Sequence, residues 1–215
     1  MTSNSFIIFG SGGHATSIIS SLMREGCEIK GIFDPNSEAE TLFGIPLINS
    51  LHSNLGDSKI LIAIGDNYSR HLEYTRAVSR HGRDAIGNFV SRFAYVSHIT
   101  QISAGCVILP NSYVGPNSYL GEGVLINTAA IVEHDCILGP FSSLAPNSTM
   151  AGGGSLGQFS HLGISAVQDA KVSIGDNSIL GANSFLMRDL ESNSVAIGNP
   201  ARFLRFRNIG EKYLR

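Results

Sequence analysis

"VGPNSYLGEGVLINTAAIVEHDCILGPFSSLAPNSTM", residues 114 to 150, carries an aliphatic residue at every sixth position: Val114, Leu120, Ile126, Val132, Leu138, Leu144 and Met150. Followed outward, the series starts at Val90, Val96, Ile102 and Ile108 and continues through Leu156, Leu162, Gln168, Ile174, Leu180 and Leu186. Sixteen of these seventeen positions are aliphatic, and only Gln168 departs. Four residues after each comes, through most of the series, a small residue or valine, as at Cys106, Ser112, Val124, Ala130, Cys136 and Ser148. The residue directly after the aliphatic one is glycine at 115, 121, 139, 157, 163, 175 and 181. A helix cannot hold one aliphatic face at period six while carrying so many Gly and Asn-Ser pairs. Short strands joined by tight corners can, since Gly and Asn tolerate the positive φ such corners need. The period therefore predicts a parallel β-helix with three hexads per triangular turn. Residues 18 apart are stacked at the strand spacing of about 4.8 Å.

The N-terminal third follows another plan. "FIIFGSGGHATSIISSLMREG", from Phe6 to Gly26, reads as a strand, a glycine-rich turn and a helix. Ala15, Ile18, Ile19, Leu22 and Met23 form one apolar helical face, and Gly26 is placed to end the helix. "EIKGIFD" closes a second strand at Asp34, and "KILIAIG" (59 to 65) leads into a helix opening at Asp66-Asn67 and stopping near Gly82. Strands alternating with helices imply a small parallel sheet. Gly10, Gly12, Gly13 and Ala15 fit a dinucleotide-type fingerprint, with Asp34 24 residues after Gly10. Glycines at such a turn let a phosphate or sugar approach a helix N-terminus. "AIGDN" (63 to 67) supplies a second turn at the carboxyl end of a neighbouring strand, where open α/β sheets bind ligands. The expected organisation is an α/β, Rossmann-like domain over 1–87, a β-helix over 88–195 and a tail over 196–215.

Composition narrows the function. The chain has 215 residues, 43% hydrophobic and 15% charged, with a formal net charge of −2, which gives no reason to expect nucleic acid or an anionic membrane. No apolar run reaches membrane-spanning length and no secretory signal is evident, so a cytoplasmic location is expected. Cys27, Cys106 and Cys136 have no metal spacing and are expected to be buried free thiols.

The run of hexapeptides resembles the left-handed β-helix of the hexapeptide acyltransferase superfamily. "FGSGGHA", "AIGDN", "INTAAIVEHD" and "AIGNPAR" together resemble its PglD/NeuD-type sugar acetyltransferases. That resemblance implies a homotrimer with active sites between adjacent prisms, acetyl-CoA along the β-helix as co-substrate, and no metal. It also implies a nucleotide-sugar held by the N-terminal domain. It places the general base at His134 and its partner at Asp135, in an "EHD" that the hexad period puts at an outside corner. Eighteen residues on, Gly152 offers a bare N–H for an acyl oxyanion, completing what acetyl transfer needs. Candidate substrate-binding residues are Gly12, Gly13, His14, Asp34, Gly65, Asp66, Asn67, Arg70 and Asn127. Candidate CoA-binding residues are Gly152, Pro200, Arg202 and His161, the last expected at the surface. Arg205 and Arg207 are further cations of the tail. Where some relatives carry a second active-site histidine, nine after the base, this chain has Ser143.

The expected reaction is N-acetylation of a nucleotide-linked amino-sugar, such as a 4-amino-4,6-dideoxy sugar. The alternative is O-acetylation of a sugar such as sialic acid. A metal lyase built on the same β-helix fits poorly. His98 and His134 are 36 residues apart, two turns or about 9.6 Å, too far to share one ion.

Overall fold

A computed structural model of the chain describes residues 5–50 and 56–213. The N-terminal unit contains β1 (Ser5–Phe9), α1 (Gly13–Arg24), β2 (Glu28–Phe33), β3 (Thr41–Leu42), β4 (Ile45–Ile48), β5 (Lys59–Ile62) and α2 (Asn67–His81). Its sheet has the order β3-β4-β2-β1-β5, parallel except where β3 pairs with β4. Asp66 caps α2 by accepting from the Ser69 N–H at 2.9 Å, and Gly82, at φ 82°, ends it. The apolar face of α1 is narrower than expected: Ala15, Ile18, Ile19 and Leu22 are buried, but Met23 is half exposed.

From Phe89 the chain coils as a left-handed β-helix. Two-residue strands recur every six residues, from β6 (Phe89–Val90) to β22 (Phe185–Leu186), and build three parallel faces. The first face stacks Val90, Ile108, Ile126, Leu144, Leu162 and Leu180. The second stacks Val96, Val114, Val132, Met150, Gln168 and Leu186, and the third Ile102, Leu120, Leu138, Leu156 and Ile174. Most of these side chains are fully buried in one continuous column. Burying an aliphatic side chain of this size contributes roughly 1.5–3 kcal/mol, so the column is the main support of the coil. The corners obey the same period: every sixth residue from Gly105 to Asn183 has φ between 52° and 79°. Asn or Gly fills most of these, the two residues least penalised there. Gln168 is buried in the column and donates from Nε2 to the carbonyls of Ser155 and Val172.

Above the last coil, β23 (Ser194–Gly198) extends the first face and β24 (Ala201–Phe206) returns antiparallel to it. The α/β unit rests on that same first face, where Phe6, Ile8 and Leu61 pack with Phe89, Val107, Leu109 and Leu125. Among the described residues no helix is long and apolar enough to cross a membrane. Cys106 and Cys136 occupy buried corner slots as expected, whereas Cys27 is only half-buried, on the loop after α1.

Candidate active site

Two regions collect the expected residues, and they lie on different parts of the molecule. The first is a crevice of about 450 Å³ at the carboxyl ends of β1, β2 and β5. Gly12, Gly13, His14, Asp34, Gly65 and Asp66 all line it. Gly10, at φ 108°, passes so close to β5 that a Cβ would come within 3.2 Å of the Ala63 carbonyl. A Cβ on Gly12 or Gly13 would meet nothing within 4 Å, so these two leave backbone open to an approaching ligand. Asp34 braces the turn by accepting from the Ser11 N–H and hydroxyl at 3.0 and 2.6 Å. His14 sits in the first turn of α1 with Nε2 buried and, among the described residues, unpartnered. Burial and the nearby Arg70 guanidinium push its pKa down to about 4, so the ring is neutral near pH 7.

Asn67 and Arg70 are placed elsewhere than expected. Both are buried and neither lines the crevice. The Arg70 guanidinium donates to the carbonyls of Ile64, Gly65, Gly123, Phe141 and Ser142, and to Asn67 Oδ1. Asn67 Nδ2 donates to the carbonyls of Phe159 and Ser160. They join the α/β unit to the edge between the third and first faces, satisfying carbonyls that the coil corners would otherwise bury alone. The polarity of "DNYSR" is legible in the sequence, but the direction in which α2 presents it depends on the docking.

The second region is the edge between the second and third faces. His134 and Asp135 lie at this corner with exposed side chains, and the Asp135 carboxylate receives His134 Nδ1 at 2.7 Å. Hydrogen bonds from His134 and from Asn117 Nδ2 hold the Asp135 carboxyl below the usual carboxylate range, so it stays ionised. Nδ1 then carries the proton, which leaves the Nε2 lone pair free. One coil above, Gly152 lies against that nitrogen: a Cβ there would be 2.5 Å from His134 Nε2. Among the described residues the Gly152 N–H donates to no partner, while its carbonyl accepts from the Lys171 N–H.

The same edge rises through Lys171 to Arg188, and there a cavity of about 550 Å³ is lined by Arg188, Pro200 and Arg202. Arg188 and Lys171 escaped the sequence reading; the 18-residue spacing that stacks 134, 152, 170 and 188, and beside them 135, 153 and 171, on one edge was available to find them. Asn127 lies on the edge between the first and second faces, apart from His134, and donates to the Leu144 carbonyl at 2.8 Å.

His161 is not at the surface. It is buried on the first face, accepts or donates at Nδ1 with Ser143 Oγ at 2.8 Å, and packs against the Tyr213 ring at 4.6 Å. Burial, with Arg70 and Arg207 nearby, pushes its pKa down to about 3. The docked α/β unit and the returning tail cover a position that hexad period alone leaves outside. Arg207 is likewise buried, whereas Arg205 is exposed and paired with Glu211. Among the described residues no three His, Cys, Asp or Glu are grouped to hold a metal ion.

Residues 5–77 match the family model described as the PglD N-terminal domain. A mutant of GDP-perosamine N-acetyltransferase from Caulobacter crescentus, solved with CoA and GDP-perosamine, superposes with a TM-score of 0.86 at 31% identity, covering 94% of this chain and 97% of that one. The acetyltransferase domain of PglB from Neisseria gonorrhoeae, solved with acetyl coenzyme A, matches with a TM-score of 0.86 at 26% identity over 94% and 99%. WeeI from Acinetobacter baumannii shares the fold, with a TM-score of 0.80 at 19% identity over 93% and 100%. With a relative 31% identical along nearly its whole length, the chain belongs to the PglD/NeuD-type sugar acetyltransferases of the hexapeptide-repeat superfamily.

Proposed function

We propose that this protein transfers the acetyl group of acetyl-CoA to the amine of a nucleotide-linked amino-sugar, with His134 as general base. The observation that carries the reading is the likeness to an N-acetyltransferase solved with CoA and GDP-perosamine, taken together with the His134–Asp135–Gly152 corner. The sugar amine attacks the thioester carbonyl carbon while His134 Nε2 accepts its proton. Asp135 keeps Nδ1 protonated and stabilises the imidazolium. The Gly152 N–H faces the oxyanion of the tetrahedral intermediate. As the C–S bond breaks, the imidazolium returns the proton to the departing thiolate. Cys136 is an unsuitable acyl carrier, because it is buried and burial raises its thiol pKa.

CoA is assigned to the edge above His134. From His134 to Arg188 is three coil turns, about 14 Å. That length suits a pantetheine arm, with Arg188 and Arg202 beside the phosphates. The nucleotide is assigned to the crevice of the α/β unit. That unit rests on the first face, and the edge bearing His134 is the one edge that does not border the first face. A sugar held in one chain's crevice therefore meets the partner subunit's His134, and we infer a homotrimer on this ground.

The test is CoA release from acetyl-CoA with GDP-perosamine and with UDP- and dTDP-linked 4-amino-4,6-dideoxy sugars, for wild type and His134→Ala. Turnover with an amino-sugar that drops about 10²-fold or more in the mutant is expected, the span of a lost general base. Turnover of hydroxyl acceptors alone would replace the amine reading by O-acetylation. Full activity of the mutant would end the role given to His134.

A further inference from the structure

The last residues described do not hang free. After β24 the chain turns at Gly210, φ 78°, against the Tyr68 ring and runs back to the α/β unit. Arg207 is buried and donates to the Asn177 carbonyl and Oδ1 and to the Glu211 carbonyl. Its guanidinium lies 5.7 Å from the centre of the Tyr213 ring. That ring packs on His161, and its hydroxyl reaches Ser143 Oγ at 3.5 Å. Residues 207–213 are thus a strap pinned at both ends. Between the pins, Lys212 is carried to the wall of the crevice that the glycine-rich turn also lines.

The charges of that crevice are unbalanced. Three carboxylates line it, from Asp34, Asp66 and Glu73, against two cations, Arg76 and Lys212. Arg76 already pairs with Glu73 at 3.2 Å. Among the described residues Lys212 makes no ion pair and no hydrogen bond, so it is the one lining cation with its charge uncommitted. Carboxylates outnumber cations by one with Lys212 present and by two without it, so Lys212 lowers the repulsion an entering diphosphate meets, beside the N–H groups at the two helix starts.

We propose that the C-terminal strap is a working part of the crevice, with the Lys212 ammonium binding the diphosphate of a nucleotide-sugar. The assignment rests on the crevice being a nucleotide-sugar site, and it adds a contact from the far end of the chain. Lys212 binds as a point charge on a flexible stem, so arginine substitutes for it and alanine does not. Because Lys212 is exposed, its replacement leaves the fold intact.

Calorimetric titration of the full chain with GDP and guanosine, and with UDP and uridine, tests this. For whichever diphosphate binds wild type, Lys212→Ala is expected to weaken it about tenfold and leave the nucleoside unchanged, with Lys212→Arg within about threefold of wild type. KM for acetyl-CoA should not move. Equal diphosphate affinity in wild type and Lys212→Ala overturns the role of the strap while leaving the crevice reading standing. Failure of wild type to bind any diphosphate or nucleotide-sugar overturns both.

Discussion

Asp135 occupies the left-handed corner of its coil turn at φ 58°, where a side chain other than Gly, Asn or Asp costs roughly 1–2 kcal/mol. The corner swings its carboxylate back along the chain onto His134 Nδ1, so the conformation that turns the coil also orients the ring. The other side of the ring is set by what Gly152 lacks. Gly152 does not have positive φ, so alanine can adopt its backbone without strain, and the atoms its Cβ meets most closely all belong to the His134 ring, Nε2 at 2.5 Å, Cε1 at 2.7 Å and Cδ2 at 3.1 Å. The exposed ring can move aside, which preserves the fold and misplaces the base. Gly152→Ala should therefore leave the melting temperature within a degree or two and KM for acetyl-CoA nearly unchanged. kcat should fall about 10²-fold. Steady-state kinetics beside a thermal melt checks this. Retained kcat would show that the Gly152 contact does not place the base.

At the scale of elements, the coil was legible because one period specifies strand, corner and core together. Val132, Asp135 and Cys136 each sit where a count of six puts them. The contacts between elements were not legible. Nothing in the hexads says which of three similar faces the α/β unit will cover, so His161, Asn67 and Arg70 could not be placed by counting. The covered face has an acid cost. In the unfolded chain His161 takes a proton as pH falls through about 6.5, whereas in the folded chain its pKa is pushed down to about 3 by burial and by Arg70 and Arg207. The unfolded state then binds more protons, so the contribution is full above about 6.5 and is lost progressively as pH falls toward 3. At pH 5 the loss from this one group is about 2 kcal/mol. His161→Gln keeps a partner for Ser143 and cannot titrate. Its unfolding free energy in urea should start lower at pH 7.5 but fall less on going to pH 5, by about that amount. Parallel losses in both proteins would remove His161 as a source of acid sensitivity.

At the scale of the whole molecule, the α/β unit rests on the first face and His134 lies on the edge that does not border it, so on the proposed reading crevice and base belong to different chains. Gly12 permits a clean block of the crevice. Its φ of −73° suits any residue and a Cβ there meets nothing within 4 Å, so Gly12→Phe is expected to project into the crevice without straining the turn. Such a chain lacks a usable crevice and keeps its base, whereas His134→Ala keeps the crevice and lacks the base. Each alone should be inactive. Co-expressed in equal amounts and assembled at random into rings, they form a complete site wherever a His134→Ala crevice faces a Gly12→Phe neighbour's base. That combination arises at about one site in four in a head-to-tail assembly. Activity near a quarter of wild type in the mixed oligomers, and none on mixing preassembled ones, would establish that the site is shared. No recovery in co-expressed material that is demonstrably mixed by mass would put crevice and base in the same chain. The coil would then have to bring them together by a rearrangement of the α/β unit that the packing of Arg70 and Phe141 resists.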